Sequence, residues 1–345
     1  MKAVIARTFG PIESLVVGEL PDPVVSAGQV AIEVAAAGVN YPDLLVVGGK
    51  YQILPQPPFI PGKEASGVVM AVGPDVMTCH VGDRVMALVE HGAYCQRLLA
   101  PAANCFVLPE SMEMKEAAAF GLTLQTAYFA LVVRGGLTSG ETVLVTGAAG
   151  GVGMACVQLA HALGATVIAG VSSQEKAAAA RAAGADHVID LSGEGLRDRI
   201  RNDVRALTGG KGADVICEVV GGDVFNGCLR ALAWSGRLVV LGFAGGGIPS
   251  IPANYLLLKN ISVTGLHWSD YREWHPEWMR RGHEVLFDLY RKGLLSAKVS
   301  TAYPVEQVVE AMRQLRDRLV KGKVILTMAG EGDFGRTSQV TQSEQ

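Results

Sequence analysis

"VTGAAGGVGMACVQLA", Val145 to Ala160, takes an apolar, β-branched strand through a glycine-rich turn into a helix of small residues. In such a unit the backbone N–H groups of the turn and the positive end of the helix bind a pyrophosphate. Gly150 and Gly153 fit the last two glycines of G-x-G-x-x-G, and Ala148 stands at the first. Gly147, Ala149, Gly150, Gly151 and Val152 form the candidate cradle. A glycine triplet alone also fits a turn that merely packs tightly. Here a strand precedes it, a helix follows, and "TVIAGV" (Thr166 to Val171) supplies a second strand at the right distance, so a dinucleotide site is expected.

Outward from this unit the βα alternation continues. The strands are "TVLVTG", "TVIAGV", "HVID", "DVICEVVG", "RLVVLGF" and "ISVTGL". Between them lie the helical stretches "GMACVQLAHALG", "EKAAAARAAG", "LRDRIRNDVRALTG" and "DVFNGCLRALAW". Six strands with crossover helices complete a doubly wound parallel sheet. The first third instead alternates short β-branched runs with Pro and Gly clusters, as in "QVAIEVAAAGVN" and "LPQPPFIPG", which suits antiparallel strands. After the sheet, "EVLFDLYRKGLL" and "VEQVVEAMRQLRDRLV" are amphipathic, and "KVILTM" is a last strand. The expected organisation is α/β. A β-rich domain takes residues 1–118 and 268–329, a Rossmann domain takes residues 119–267, and residues 330–345 form a polar, disordered tail.

A chain of 345 residues accommodates two domains, and 42 glycines with 18% charged residues suit tight turns between covered sheet faces. The net charge of −3 argues against a nucleic-acid or anionic-membrane partner. None of the six cysteines forms a CxxC pair, and "MKAVIARTFG" lacks the apolar core of a secretory signal, so a reduced, cytoplasmic protein is expected. From Thr142 to Gln174 there is no Asp, Glu, Lys or Arg, a length that could span a bilayer. Its glycines divide that run into strand, turn, helix and strand, and no membrane partner is expected.

An acid usually closes the second strand and holds the ribose 2′-hydroxyl of NAD. Here the strand ends in Ser172 and Ser173, followed by Lys176. An aspartate would repel a 2′-phosphate, whereas hydroxyls donate to it and an ammonium attracts it. The expected cofactor is NADPH. The serines also suit a helix N-cap, one of them able to do both jobs, and Lys176 also suits plain surface. The same letters satisfy the TGxxxGxG and YxxxK ("YLLLK", Tyr255 to Lys259) pair of short-chain dehydrogenases. Those proteins begin with their glycine motif, and "YLLLK" lies too near the sixth strand.

The stretches "GVNYPDLLVVGGKY", "PFIPGKEASGVVMAVGPDV", "VGDRVMAL", "LTLQTAYFAL", "AAGGVG", "GADHVID" and "NISVTGL" occur in the order of the medium-chain dehydrogenase/reductase superfamily. The chain resembles that superfamily to about Met328, and within it the zinc-free quinone oxidoreductase, zeta-crystallin-like branch. The resemblance implies a GroES-like catalytic domain beside the Rossmann domain. It also exposes departures from zinc alcohol dehydrogenases, which carry a metal-binding Cys where this chain has Asn40 and a His where it has Lys63, before Glu64. The four-cysteine zinc lobe is missing too, so no metal is expected.

Without a Lewis acid to stabilise an alkoxide, the favoured acceptor is one that delocalises the incoming electron pair. The expected activity is NADPH-dependent reduction of a quinone or another α,β-unsaturated carbonyl. Alternatives are an enoyl-thioester or haloacrylate-type reductase, a crystallin-like NADPH binder with little turnover, and NAD-dependent alcohol oxidation.

By the same resemblance, Asn40 lies near the nicotinamide ribose and Asp43 orients its loop or caps a helix. Tyr51 lies at the mouth of the substrate cleft, as a hydrogen-bond donor or as packing. Thr126 bonds the cofactor or packs its helix. Val220 and the backbone at Gly242, Phe243, Ala244, Leu266, His267 and Trp268 frame the cofactor, with Phe243 and Trp268 walling a flat apolar slot. Arg318 reaches the 2′-phosphate or is a solvated helix charge, and Lys323 is a weaker neighbour there. Leu191 stands where some members have a tyrosine near that phosphate. Lys63 is either a cleft charge or a partner of Glu64 or Asp43, and the aromatic segment from His267 to Trp278 is either a substrate rim or a subunit contact. "ISVTGL" would leave a sheet edge for a homodimer.

Overall fold

The computed structural model describes residues 1–328, so the expected tail over 330–345 lies outside the described residues. The chain opens with β1 (Lys2–Ile5), β2 (Val16–Glu19), β3 (Gln29–Val39), α1 (Tyr41–Val47), β4 (Glu64–Val72), β5 (Arg84–Leu88), β6 (Arg97–Pro101) and β7 (Cys105–Val107). α2 (Met114–Tyr128) leads to β8 (Thr142–Thr146), α3 (Gly151–Ala162), β9 (Thr166–Val171), α4 (Gln174–Ala182), β10 (His187–Asp190) and α5 (Leu196–Leu207). Then come β11 (Ala213–Glu218), α6 (Gly222–Ala231), β12 (Leu232–Val240), α7 (Ala253–Lys259) and β13 (Ser262–Gly265). α8 (Tyr271–Trp274), α9 (Pro276–Arg291), β14 (Val299–Pro304), α10 (Val308–Arg316) and β15 (Lys323–Thr327) finish the described chain.

Six strands form one sheet in the order β10-β9-β8-β11-β12-β13, with every pair parallel. The chain winds outward from β8, returns to β11 and winds the other way. Its turning point is therefore the crevice at the carboxyl ends of β8 and β11, where open parallel sheets bind ligands. The uncharged run from Thr142 is β8, α3 and β9, as its glycines imply. One described helical run, Met114–Arg134, is apolar and long enough to cross a bilayer, but 78% of its most apolar stretch is buried inside the protein. Its alanine-rich turns let it pack closely against both β3 and α3.

The second sheet runs β14-β15-β3-β4-β5-β7, with β6 also paired to β3. Its pairs are antiparallel except β14 with β15. β15 pairs with β3 so that Val324 faces Val39, which sets Lys323 beside Asn40. The short strands β2, β6 and β7 carried no clear alternation and were not anticipated. Nor was the first half of α9, where "PEWMRRGH" hides the apolar stripe. Pro276 opens that helix because its fixed φ suits the first turn and its missing N–H is not needed there.

Candidate functional site

The glycine turn closes β8. Gly147 has φ 59°, and a Cβ on Gly153 would lie 2.2 Å from the Gly147 oxygen, so only glycine lets α3 start this close to the strand. The first helical bond runs from the Met154 amide to the Gly150 oxygen at 2.8 Å. The amides of Gly151 and Val152 precede that ladder and remain available to an anion. Ala149 is buried beneath the turn. Across the crevice, Glu218 ends β11. Its carboxylate accepts from the amides of Val220 (2.7 Å) and Gly221 (2.9 Å) and from Thr146 Oγ1 (3.2 Å), fixing the turn that carries Val220. Burial holds this carboxyl above its usual range. Sequence reasoning missed Glu218; an acid followed by paired glycines after an apolar strand was the available signal.

At the end of β9, Ser173 caps α4, its Oγ accepting from the Lys176 amide at 3.3 Å. Its own hydroxyl hydrogen stays free, so capping and phosphate binding are compatible. Lys176 Nζ lies 3.5 Å from Ser172 Oγ, bringing the two candidates together at the surface. Leu191 packs over Gly170. Arg318, with φ 58°, donates from Nη2 to the Ala244 oxygen at 2.6 Å, and nearby Lys321 pairs with Glu175 of α4. Lys323 corrects the expectation: its stem packs beside Gly151 and its ammonium turns into the protein, away from Ser172.

That ammonium joins a buried cluster. Glu64 Oε1 accepts from Lys323 Nζ at 2.5 Å and from Asn40 Nδ2 at 2.9 Å, while Oε2 accepts the Leu122 amide at 2.9 Å. Lys323 Nζ also donates to Asn40 Oδ1 at 2.5 Å. Gly38 makes this possible, since a Cβ there would lie 2.3 Å from both Glu64 Oε1 and the Ala118 oxygen. Asn40 caps α1 reciprocally with Asp43, whose Oδ2 accepts from the Asn40 amide (2.8 Å) and from Tyr94 Oη (2.7 Å). Burial pushes the Asp43 carboxyl up to about 6. At 2% exposure, Asp43 is enclosed by the protein and anchors the loop through these bonds.

A second cluster surrounds Tyr51. Tyr51 is half-buried, with its Oη 3.2 Å from His267 Nε2. Lys63 Nζ lies over the Tyr51 ring, 4.5 Å from its centroid. Neither Glu64 nor Asp43 is its partner: Lys63 pairs with the Glu90 carboxylate and donates to the Glu90 oxygen at 3.0 Å. Consecutive residues of an extended strand point to opposite faces, so Lys63 and Glu64 serve different clusters. Glu90 also pairs with Arg272, whose guanidinium lies 5.3 Å from the Trp268 ring. Burial, then the Glu90 charge, hold the Tyr51 phenol above its usual range.

The backbone frame is partly committed already. The Ala244 amide donates to the Val219 oxygen at 2.9 Å, and the Leu266 amide donates to the Val240 oxygen at 3.1 Å. Gly242 follows the end of β12. Trp268 corrects the apolar-slot expectation: it is 6% exposed and belongs to the core, leaving Phe243 as the exposed ring of that pair. Thr126 Oγ1 donates to the Leu122 oxygen at 2.7 Å, as a helix-packing threonine does. In the aromatic segment, His275 stacks on Trp278 at 4.4 Å and Trp274 faces solvent. Among the described residues no group of three or more His, Cys, Asp or Glu could hold a metal ion.

Residues 26–130 match the alcohol dehydrogenase GroES-like domain, and residues 151–281 match the zinc-binding dehydrogenase family. Quinone oxidoreductase-like protein 2 from Bos taurus is 38% identical over 315 residues, which cover 91% of this chain and 89% of that one. The chain belongs to the medium-chain dehydrogenase/reductase superfamily, in its quinone oxidoreductase branch. Solved structures agree. A mycobacterial protein complexed with NADPH aligns with a TM-score of 0.89 at 31% identity, over 95% of this chain and 100% of that one. The Escherichia coli quinone oxidoreductase complexed with NADPH aligns with a TM-score of 0.86 at 28% identity, over 95% and 100% of the two chains.

Proposed function

We propose that the protein is an NADPH-dependent reductase of quinones or other conjugated carbonyls that works without a metal. The observation that carries this reading is the Lys323–Glu64–Asn40 cluster. Where zinc relatives carry a metal-binding Cys and His, this chain has the Asn40 amide and the Lys63 ammonium, and the Glu64 carboxylate next in the chain is neutralised by buried Lys323. Neither the amide nor the ammonium is a zinc ligand, and the carboxylate is already used. The relatives' NADPH complexes and the hydroxyl-lysine end of β9 support the choice of cofactor.

Bound NADPH would supply the hydride. Gly151 and Val152 would hold its pyrophosphate through their amides, and Ser172, Ser173 and Lys176 would hold the 2′-phosphate. Asn40, fixed by Glu64 and Lys323, would orient the ribose beside the nicotinamide. Phe243 offers an apolar face to a flat acceptor, and the Tyr51 hydroxyl faces the same cleft as a donor for the carbonyl oxygen. An acceptor that spreads negative charge needs no more than such a donor.

The reading extends to the environment of the protein. All six cysteines are free and buried, in keeping with a reducing cytosol. The edge strand β13 would pair with a second copy in a homodimer, which solution mass measures.

The deciding assay follows NADPH oxidation against a panel of quinones and enones, with metal analysis of the same sample. Turnover without stoichiometric zinc is expected. Calorimetry should find NADPH bound more tightly than NADH, with the preference falling about tenfold in Lys176→Ala. Equal affinity for the two coenzymes would overturn the cofactor assignment.

A further inference from the structure

Reduction of a conjugated carbonyl consumes a proton as well as a hydride, and that proton needs a route from water. The Tyr51 Oη to His267 Nε2 contact of 3.2 Å continues on the far side of the imidazole, where Nδ1 lies 2.9 Å from Asp270 Oδ1. Two remote parts of the chain meet here: Tyr51 follows α1, while His267 and Asp270 lie in the turn after β13. Exposure rises along the line, from a half-buried phenol to side chains 34% exposed at His267 and 51% at Asp270. One end is therefore sheltered by the protein and the other lies in solvent.

We propose that Tyr51, His267 and Asp270 form a proton relay, with Tyr51 as the donor to the substrate oxygen and the other two as positioning residues that recharge it. The proposal rests on the reductase reading above. In the loaded state both ring nitrogens of His267 carry hydrogen. Nδ1–H donates to Asp270 and Nε2–H donates to Tyr51 Oη, which leaves the Tyr51 hydrogen free to point at the acceptor. As the acceptor gains the hydride electron pair, the Tyr51 O–H bond breaks and a bond to the acceptor oxygen forms. The His267 Nε2–H bond then breaks and its proton reprotonates Tyr51. Neutral His267 keeps Nδ1–H on Asp270 and regains its second proton from water. The acceptor has gained one hydride from the reduced nicotinamide and one proton from solvent.

The surroundings suit a phenol that gives up its proton only when another follows. Tyr51 faces Lys63 over its ring, with Glu90 and Arg272 near it, the Ser269 hydroxyl beside it and Asp43 buried behind. Burial and the Glu90 carboxylate oppose a free tyrosinate. His267 faces Asp270 and Tyr51. A relay that refills Tyr51 in step with its loss avoids the unfavourable anion.

Two measurements test the relay. In cofactor-free protein, nitrogen-15 NMR of His267 followed with pH should show Nδ1 protonated throughout and Nε2 titrating. In Asp270→Asn that titration should move toward acid. In turnover with a quinone, the wild-type kcat should fall on the alkaline side along the same curve. Asp270→Asn should carry that limb with it, and His267→Gln should abolish the limb and lower kcat about tenfold. Tyr51→Phe, which keeps the ring beneath Lys63, should lower kcat about 100-fold with KM little changed. Unchanged pH profiles in both Asp270→Asn and His267→Gln, or an Nε2 titration indifferent to Asp270, would overturn the relay. Absence of wild-type turnover on every acceptor would overturn the reductase reading instead, since the NMR titration needs no cofactor.

Discussion

Replacing Lys323 by Met tests whether the ammonium is what makes the buried Glu64 carboxylate tolerable. Glu64 is 1% exposed and Lys323 5%, so water cannot substitute for the lost partner. Met keeps the unbranched stem that packs beside Gly151 but leaves Glu64 with only two donors, Asn40 Nδ2 and the Leu122 amide. Breaking a buried pair from one side costs about 3 to 5 kcal/mol, and the two surviving hydrogen bonds place this case near about 3. Glu64→Gln keeps a carbonyl oxygen for Lys323, alongside Asn40 Oδ1, and should cost about 2 kcal/mol. The double variant removes both charges and should lie within about 1 kcal/mol of wild type. Urea unfolding of the cofactor-free protein, followed by circular dichroism, gives all four corners of the cycle. If the single losses simply added in the double variant, the two charges would not be coupled and the reasoning would fail.

Other outcomes follow from the same physics. Asp43→Asn keeps an oxygen for the Asn40 amide and Tyr94 but removes a titration. Burial pushes the folded-state pKa of Asp43 up to about 6 from the ordinary aspartate value of 3.8, so its contribution is fully present below about 4 and is lost as pH rises through about 6. The stability of wild type relative to Asp43→Asn should fall by about 3 kcal/mol across that window, and parallel urea curves would refute it. His283 is buried against Phe106 at 3.6 Å with neither ring nitrogen hydrogen-bonded among the described residues, and burial pushes its pKa down to about 3. His283→Leu should therefore stabilise the fold by about 1 to 2 kcal/mol at neutral pH, with a larger gain as pH falls below 6.5; a lowered melting temperature would refute this. Gly153→Ala would drive its Cβ against the Gly147 oxygen and should weaken NADPH binding at least about tenfold, a loss that calorimetry would reveal or disprove.

The parallel sheet was legible because its signals are local: an apolar run, a turn and an amphipathic helix recur within thirty or so residues. The geometry of the candidate cradle was legible for the same reason, since the glycines, serines and Lys176 lie close in sequence to the strand and helix ends that position them. What sequence could not supply was register. The Lys323 ammonium reaches Asn40 only because β15 lies antiparallel to β3 with Val324 opposite Val39. Lys63 meets Glu90 rather than its neighbour Glu64 because the backbone turns successive side chains apart. The contact of Tyr51 with His267 joins residues 216 positions apart, and nothing near either one announces the other. Leu191 and Trp268 show the converse, where a familiar position is filled by a side chain with a packing role.

The pairing of β15 with β3 has a consequence for how the protein is made. Lys323 lies 284 positions after Val39, so a ribosome releases β3 and Glu64 long before it releases the strand and the cation that complete them. The parallel sheet, whose strands follow one another closely, can close while synthesis is still under way. The sheet that holds β3 begins earlier yet must wait with part of the β3 edge unfilled until β15 has been made.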